Sequence, residues 1–152
     1  MPESDLTSFE KIKIQMDYAI PLIRGLQEVL GKDAVNQALE QMIEKRTRAL
    51  AAPGDKANFG MMKAGTQMFA EGGALDYEIV EEGEDAFDVN IHSCAYARMM
   101  ADEDASDIGK LLICNFDYPA AAAIGMDLDR TQTKMEGAPY CDFRYRRRAR
   151  NA

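Results

Sequence analysis

Histidine occurs once in the 152 residues, at His92, and this scarcity narrows the acid–base chemistry open to the chain. Cysteine occurs three times, as Cys94, Cys114 and Cys141. An odd count in a chain with no export signal argues against a disulfide framework, so reduced thiols are expected, either buried or reactive. No apolar run approaches the ~18 residues that a membrane-spanning helix needs. The opening MPESDLTSFEK has neither the basic nor the apolar stretch of a targeting segment, and a cytoplasmic address is the simplest reading. Phosphate-loop, dinucleotide-binding and serine-nucleophile motifs are absent. Basic charge is also short: 18 Lys and Arg face 26 Asp and Glu, and the net charge of −8 opposes general affinity for nucleic acid. Arg144, Arg146, Arg147, Arg148 and Arg150 supply five of those positives, leaving 13 against 26 in residues 1–143. The basic tail therefore reads as a solvated terminal strand that balances acidic neighbours.

What is present is ordinary for a globular protein, 47% hydrophobic and 29% charged. One domain over residues 1–152 is the default at this length, with a helical part over 1–73 and the remainder over 74–148. From Phe9 to Leu30 apolar residues recur at Ile12, Met16, Ile20, Ile23, Leu26 and Leu30, one helical stripe in which Pro21 starts or kinks a turn. Gly31 ends that helix, and Asp33 caps a second that buries Val35, Ala38, Leu39, Met42 and Ile43. AAPGD breaks it, and a third helix runs from about Lys56 to Ala70.

Beyond Gly73 the period changes from three or four to two. LDYEIVEE and AFDVNIH alternate around an acidic turn, which predicts a hairpin. Ser93 and Ser106 are read as caps of two further helices, and Asp117 with Pro119 opens a short Ala-rich one that Gly125 closes. LDRTQTKM, a turn at EGAP and YCDFRYR predict a second hairpin. The fold class is α+β: N-terminal helices packed on an antiparallel sheet of two β-hairpins separated by helices.

Residues i and i+2 of a strand share a face, so Asn90, His92 and Cys94 are expected to point together, away from Phe87, Val89 and Ile91. Cys114 and Asp117, three apart, fall on one face if the helix continues. Cys141 shares a strand face with Phe143 and Tyr145, and Asp142 shares the other with Arg144. His92, Cys94, Cys114 and Cys141 could in principle bind zinc, but their spacing matches no compact ligand pair, and no metal or cofactor is expected.

The runs HSCAYARMM, ICNFD and above all DRTQTKMEGAPYCDFRYR resemble the L-2-amino-thiazoline-4-carboxylic acid hydrolase family over residues 75–148. The Gly-x-x-x-Cys-x-Phe ending is also similar to 4-vinyl-reductase type ligand-binding domains, in which two antiparallel hairpins and helices enclose a small-molecule pocket. The resemblance implies a hydrolase acting on a carbon–nitrogen bond of a cyclic amidine or isothiourea, such as 2-amino-thiazoline-4-carboxylate, opening it to an N-carbamoyl amino acid. Under that implication Cys141 or Cys114 is the nucleophile, or water is, and His92 moves protons. Asp117 or Glu136 holds the cationic amidine, and Arg130 or Arg144 clamps the carboxylate. Thr131 and Asp142 in the same motif, and Cys94, complete the candidate site. The expected partner is a small carboxylate-bearing heterocycle, with no nucleic acid and no membrane, and a homo-oligomer is allowed. The alternative is a non-catalytic, sensory small-molecule-binding domain on the same scaffold.

Overall fold

The computed structural model describes residues 5–149. Two long helices open it, α1 (Ser8–Leu30) and α2 (Lys32–Leu50). Thr7 and Glu10 cap α1 reciprocally, each side chain taking a backbone N–H of the other residue. The helix runs through Pro21, whose missing N–H leaves the Asp17 carbonyl free on an exposed surface where water can serve it. Its inner face is Met16, Ile23 and Gln27, whereas Leu26 and Leu30 of the expected stripe are exposed. Gln27 takes the inner position because its amide is satisfied there: it donates to Asn36 Oδ1 at 2.9 Å and accepts from Arg24 at 2.8 Å. Gly31, with φ of 92°, makes the reversal into α2. It also takes the N-cap position expected of Asp33, which lies instead in the first turn, where its charge favours the helix dipole.

After a 3-10 turn at Gly54–Lys56 and helix α3 (Phe59–Phe69), the chain enters β1 (Leu75–Glu82) and β2 (Ala86–Cys94). Helices α4 (Ala95–Asp102), α5 (Ser106–Leu112) and α6 (Asp117–Ala123) follow, then β3 (Met126–Asp129) and β4 (Cys141–Arg147). The strands form one antiparallel sheet in the order β1-β2-β4-β3. The class is the α+β one that the change of period predicts. The second hairpin forms, β3 paired antiparallel with β4, but with a shorter first strand and a different connection. LDRTQTKM is strand only as far as Asp129, and residues 130–140 form a structured loop in place of a tight turn.

Two caps also differ. Strand β2 continues one residue past Ser93, so Cys94 is the N-cap of α4, its Sγ accepting from the Ala97 N–H at 3.4 Å. Ser93 instead accepts from Arg98 at 2.7 Å. Ala105 precedes α5 without a side-chain cap, and Ser106 is its first residue.

The core has two parts. One is helical, built from Met16, Ile23, Val35, Met100 and Ile108 with Met135 from the structured loop. The other lies on the sheet: Phe87, Val89, Ile91, Met126, Cys141 and Tyr145 against Ala121, with Phe59 and Met62 of α3 alongside. Of the three N-terminal helices, then, α3 packs on the sheet, while α1 and α2 pack chiefly on α4, α5 and α6. Residues 51–58 close over the β3 end through two glycines. A side chain at Gly54 would strike the Arg148 carbonyl, and one at Gly125 would strike the Pro53 carbonyl. The basic tail is spent within this frame. Arg144 and Arg146 meet Asp88, Arg147 meets Asp85 at 2.7 Å, and Arg148 meets Asp127 at 3.6 Å. Arg150 lies outside the described residues.

Arg24 joins α1 to α5. It grips both oxygens of Asp107 at 2.8 and 2.9 Å and donates to the Asp104 carbonyl at 2.7 Å. Those hydrogen bonds hold the Asp107 carboxyl down at about 2. A depressed carboxyl contributes stability above its ordinary pKa and loses it as pH falls through the folded value. Asp107→Asn is therefore expected to cost about 1–2 kcal/mol at pH 7, after discounting for its partial exposure. The deficit should shrink toward zero near pH 2, as read by urea unfolding across that range. A deficit that does not vary with pH would deny the pair its electrostatic role.

Candidate functional site

Sheet geometry decides which polar residues can meet. In the β1–β2 register Asp76 stands opposite Ser93 while Tyr77 stands opposite Ile91, so residue 92 is an extra, bulged residue. The bulge breaks the expected alternation. His92 and Ser93 both fall on the outer face, and Cys94 returns to the inner face beside Ile91 and Leu75. The same-face grouping of Asn90, His92 and Cys94 is thus corrected. On the outer face His92 Nε2 is 3.1 Å from Glu78 Oε2, and Asn90 accepts from Arg144 at 3.0 Å. Among the described residues no group of three His, Cys, Asp or Glu is placed to hold a metal ion.

The inner face gathers a different set. Cys94, Cys114 and Cys141 come within electrostatic reach of one another and of Asp117, and Cys114 and Cys141 of Arg130 as well. Cys94 closes the end of β2, and Cys114 begins a 3-10 turn, Cys114–Phe116, that leads into α6 with Asp117 as its first residue. Cys141 opens β4, on the same face as Phe143 and Tyr145.

The structured loop supplies Arg130. Asp142, pointing outward from β4, accepts the N–H groups of Thr131 and Gln132 at 2.9 Å each and the Thr131 hydroxyl. Burial pushes its carboxyl up, but these donors outweigh that and hold it below the usual range. Thr133 caps the turn Lys134–Glu136, Gly137 leaves it at a φ of 90°, and Met135 packs on Gly109 of α5. Glu136 is held by Lys110 and Thr133, which keep its carboxyl low. So wound, the loop aims the Lys134 N–H at Cys141 Sγ, 3.1 Å away, and sends Arg130 inward.

Arg130 is only 3% exposed along its side chain. Nη1 donates to Asp117 Oδ2 at 2.7 Å, Nη2 donates to the Cys114 carbonyl at 3.0 Å, and the guanidinium lies over the rings of Phe143 and Tyr118, 4.9 and 5.3 Å from their centroids. A substrate carboxylate would reach it only by displacing Asp117. Arg144, the other candidate clamp, lies on the outer face with Asn90 and Asp88. Thr131, Glu136 and Asp142 serve the loop's internal bonding, away from the thiols. The tyrosine and phenylalanine that flank Arg130 were not among the expected site residues. Their signal in the sequence is adjacency, since Tyr118 follows Asp117 and Phe143 alternates with Cys141.

Asp117 keeps 37% of its side chain accessible, yet loss of solvent is the strongest influence on its carboxyl, raising it to about 6 against the lowering effect of Arg130. Asp117 is thus closely surrounded and still partly open to solvent. Arg130 anchors Oδ2, and among the described residues no donor reaches Oδ1. All three thiols are pushed up by burial, Cys141 to about 11 and Cys114 further. Two shallow surface grooves lie elsewhere, one between α1 and α4 and one between α5 and the structured loop, and neither is lined by a thiol.

The arrangement offers a carboxylate poised near neutrality, a fixed counter-cation bonded to it and soft, uncharged thiols nearby. It is suited to moving a proton to or from a small polar molecule. The sequence model of one family, L-2-amino-thiazoline-4-carboxylic acid hydrolase, matches residues 13–145, taking in most of α1 as well as α2 and α3. No curated protein and no solved structure matches the chain.

Proposed function

Because the chain belongs to the L-2-amino-thiazoline-4-carboxylic acid hydrolase family, we propose that it opens a small cyclic isothiourea or amidine by adding water to the carbon between the heteroatoms, at Asp117 beside the three cysteines. The observation that carries this reading is Asp117 itself, partly open to solvent and anchored through one oxygen, while no described donor reaches the other. A carboxyl raised to about 6 is largely ionised at neutral pH and still basic enough to take a proton from water.

For a 2-amino-thiazoline the steps balance as follows. Water adds across the C2–N double bond: Asp117 accepts one proton from the water and passes it to the ring nitrogen, giving a tetrahedral carbon that bears hydroxyl, sulfur and two nitrogens. The C2–S bond then breaks, the hydroxyl becomes the carbonyl as it gives up its proton, and the departing sulfur is protonated. Both nitrogens stay on the new carbonyl, which makes the product an N-carbamoyl amino acid. His92, on the outer face of the sheet with Glu78, has no part in these steps.

A second reading is covalent attack by Cys141. It is favoured by the Lys134 N–H aimed at its sulfur, a donor that would stabilise a thiolate. Burial works against it, since a nucleophilic cysteine needs a lowered pKa and this one is raised to about 11.

The test is turnover of a panel of 2-amino-thiazolines and cyclic amidines, read as carbamoyl product and, for thiazolines, released thiol. Turnover of at least one is expected. Cys114→Ser and Cys141→Ser, confirmed folded by circular dichroism, should keep kcat within about tenfold of the native value. Loss of all turnover in one of them, with binding intact, would replace water by that thiol. A folded native protein that binds a panel member but converts none would be a ligand-binding module.

A further inference from the structure

Helix α1 has more apolar surface than the fold uses. At 3.6 residues per turn, Ile14, Tyr18, Leu22, Leu26 and Val29 share one side of it, separate from the inner face of Met16, Ile23 and Gln27. These five are between 40% and 82% exposed. The charged residues of the stretch, Asp17, Arg24 and Glu28, lie off the stripe, and two of them are paired: Asp17 with Lys13 and Arg24 with Asp107. Gly25 sits among the five, and an added Cβ there would meet nothing within 4 Å, so another backbone can approach closely.

We propose that this stripe is the contact surface of a two-fold homodimer, with the axis passing near Leu22. The size fits. Taking large side chains at roughly 150–250 Å² each, the five expose on the order of 600 Å² per copy, at the upper end of what monomers leave open and most of the ≈800 Å² per partner of a stable interface. The shape fits as well. A two-fold contact must be complementary to itself, residue i meeting j and j meeting i. A charge-free stripe centred on Leu22, with Ile14 and Val29 at similar distances on either side, meets that condition. A membrane surface is the less suitable occupant, because a chain of net charge −8 is repelled by anionic lipid.

The native chain at about 50 µM is expected to run as a dimer in light scattering coupled to gel filtration. Leu22→Glu should run as a monomer with an unchanged circular dichroism spectrum. Leu22→Cys, near the axis, should give a disulfide-linked dimer on mild oxidation, whereas Ile14→Cys should not. A native monomer at that concentration would overturn the proposal, as would a Leu22→Glu variant that stays dimeric. Should Leu22→Glu fail to fold, absence of cross-linking in Leu22→Cys is the result that sinks it. A native monomer that sediments with phosphatidylcholine vesicles would assign the stripe to lipid instead.

Discussion

Asp117→Asn should lower kcat by about 10²–10⁴-fold, the range that loss of a general base removes. The amide keeps the shape and can still accept from Arg130, so the surroundings should stay intact while the proton acceptor is gone. The pH profile carries the sharper information. Because burial holds the Asp117 carboxyl at about 6, native kcat/KM should climb as pH rises through 6 and level off above it. The variant's residual activity should lack that limb. A rate within about tenfold of native, or a limb that survives the substitution, would remove Asp117 from the chemistry. An accompanying fall in melting temperature alone would mark it as structural.

Arg130→Lys is expected to cost about 10²-fold in kcat with KM little changed, as when a reacting group is displaced by about an ångström. Lysine keeps the charge, but an ammonium cannot join Asp117 and the Cys114 carbonyl in one plane, nor lie flat over Phe143 and Tyr118. Since Arg130 lowers the Asp117 carboxyl against the pull of burial, loosening it should also move the acidic limb to higher pH. These readouts separate a positioning residue from the carboxylate clamp that the family resemblance implies. A clamp would raise KM for substrates that carry a carboxylate, leave their carboxamide analogues unaffected, and leave the limb where it was.

Much of the fold can be read locally because the period of apolar residues changes sharply at Gly73, from helical steps in α1 and α2 to alternation through Tyr77 and Ile79. The thiols and Asp117 can likewise be picked out by residue type. What local reading misses is set by distant partners. The bulge that sends Cys94 inward depends on the register with Asp76 and Tyr77, many residues earlier. Strand β3 ends at Asp129 because Arg130 is drawn to Asp117, a contact no periodicity contains. Helix caps fail for a related reason. Ser93 has the right chemistry for a cap, but Arg98 binds its hydroxyl and the strand overruns it by one residue.

Strand order carries a consequence for how the molecule comes to exist. Strand β4, the last in the chain, is inserted between β2 and β3, so during synthesis the sheet has an open slot until Cys141–Arg147 emerges. Up to that moment β2 shows an unpaired edge beside Phe87, Val89 and Ile91, which is an invitation to foreign strands. The same segment delivers Cys141 and Phe143 to the inner face, Phe143 against Arg130. A nascent chain stalled or cut before residue 141 is thus an adhesive fragment that also lacks part of the candidate site, and a cell's quality-control machinery would meet the incomplete site and the exposed edge as a single event.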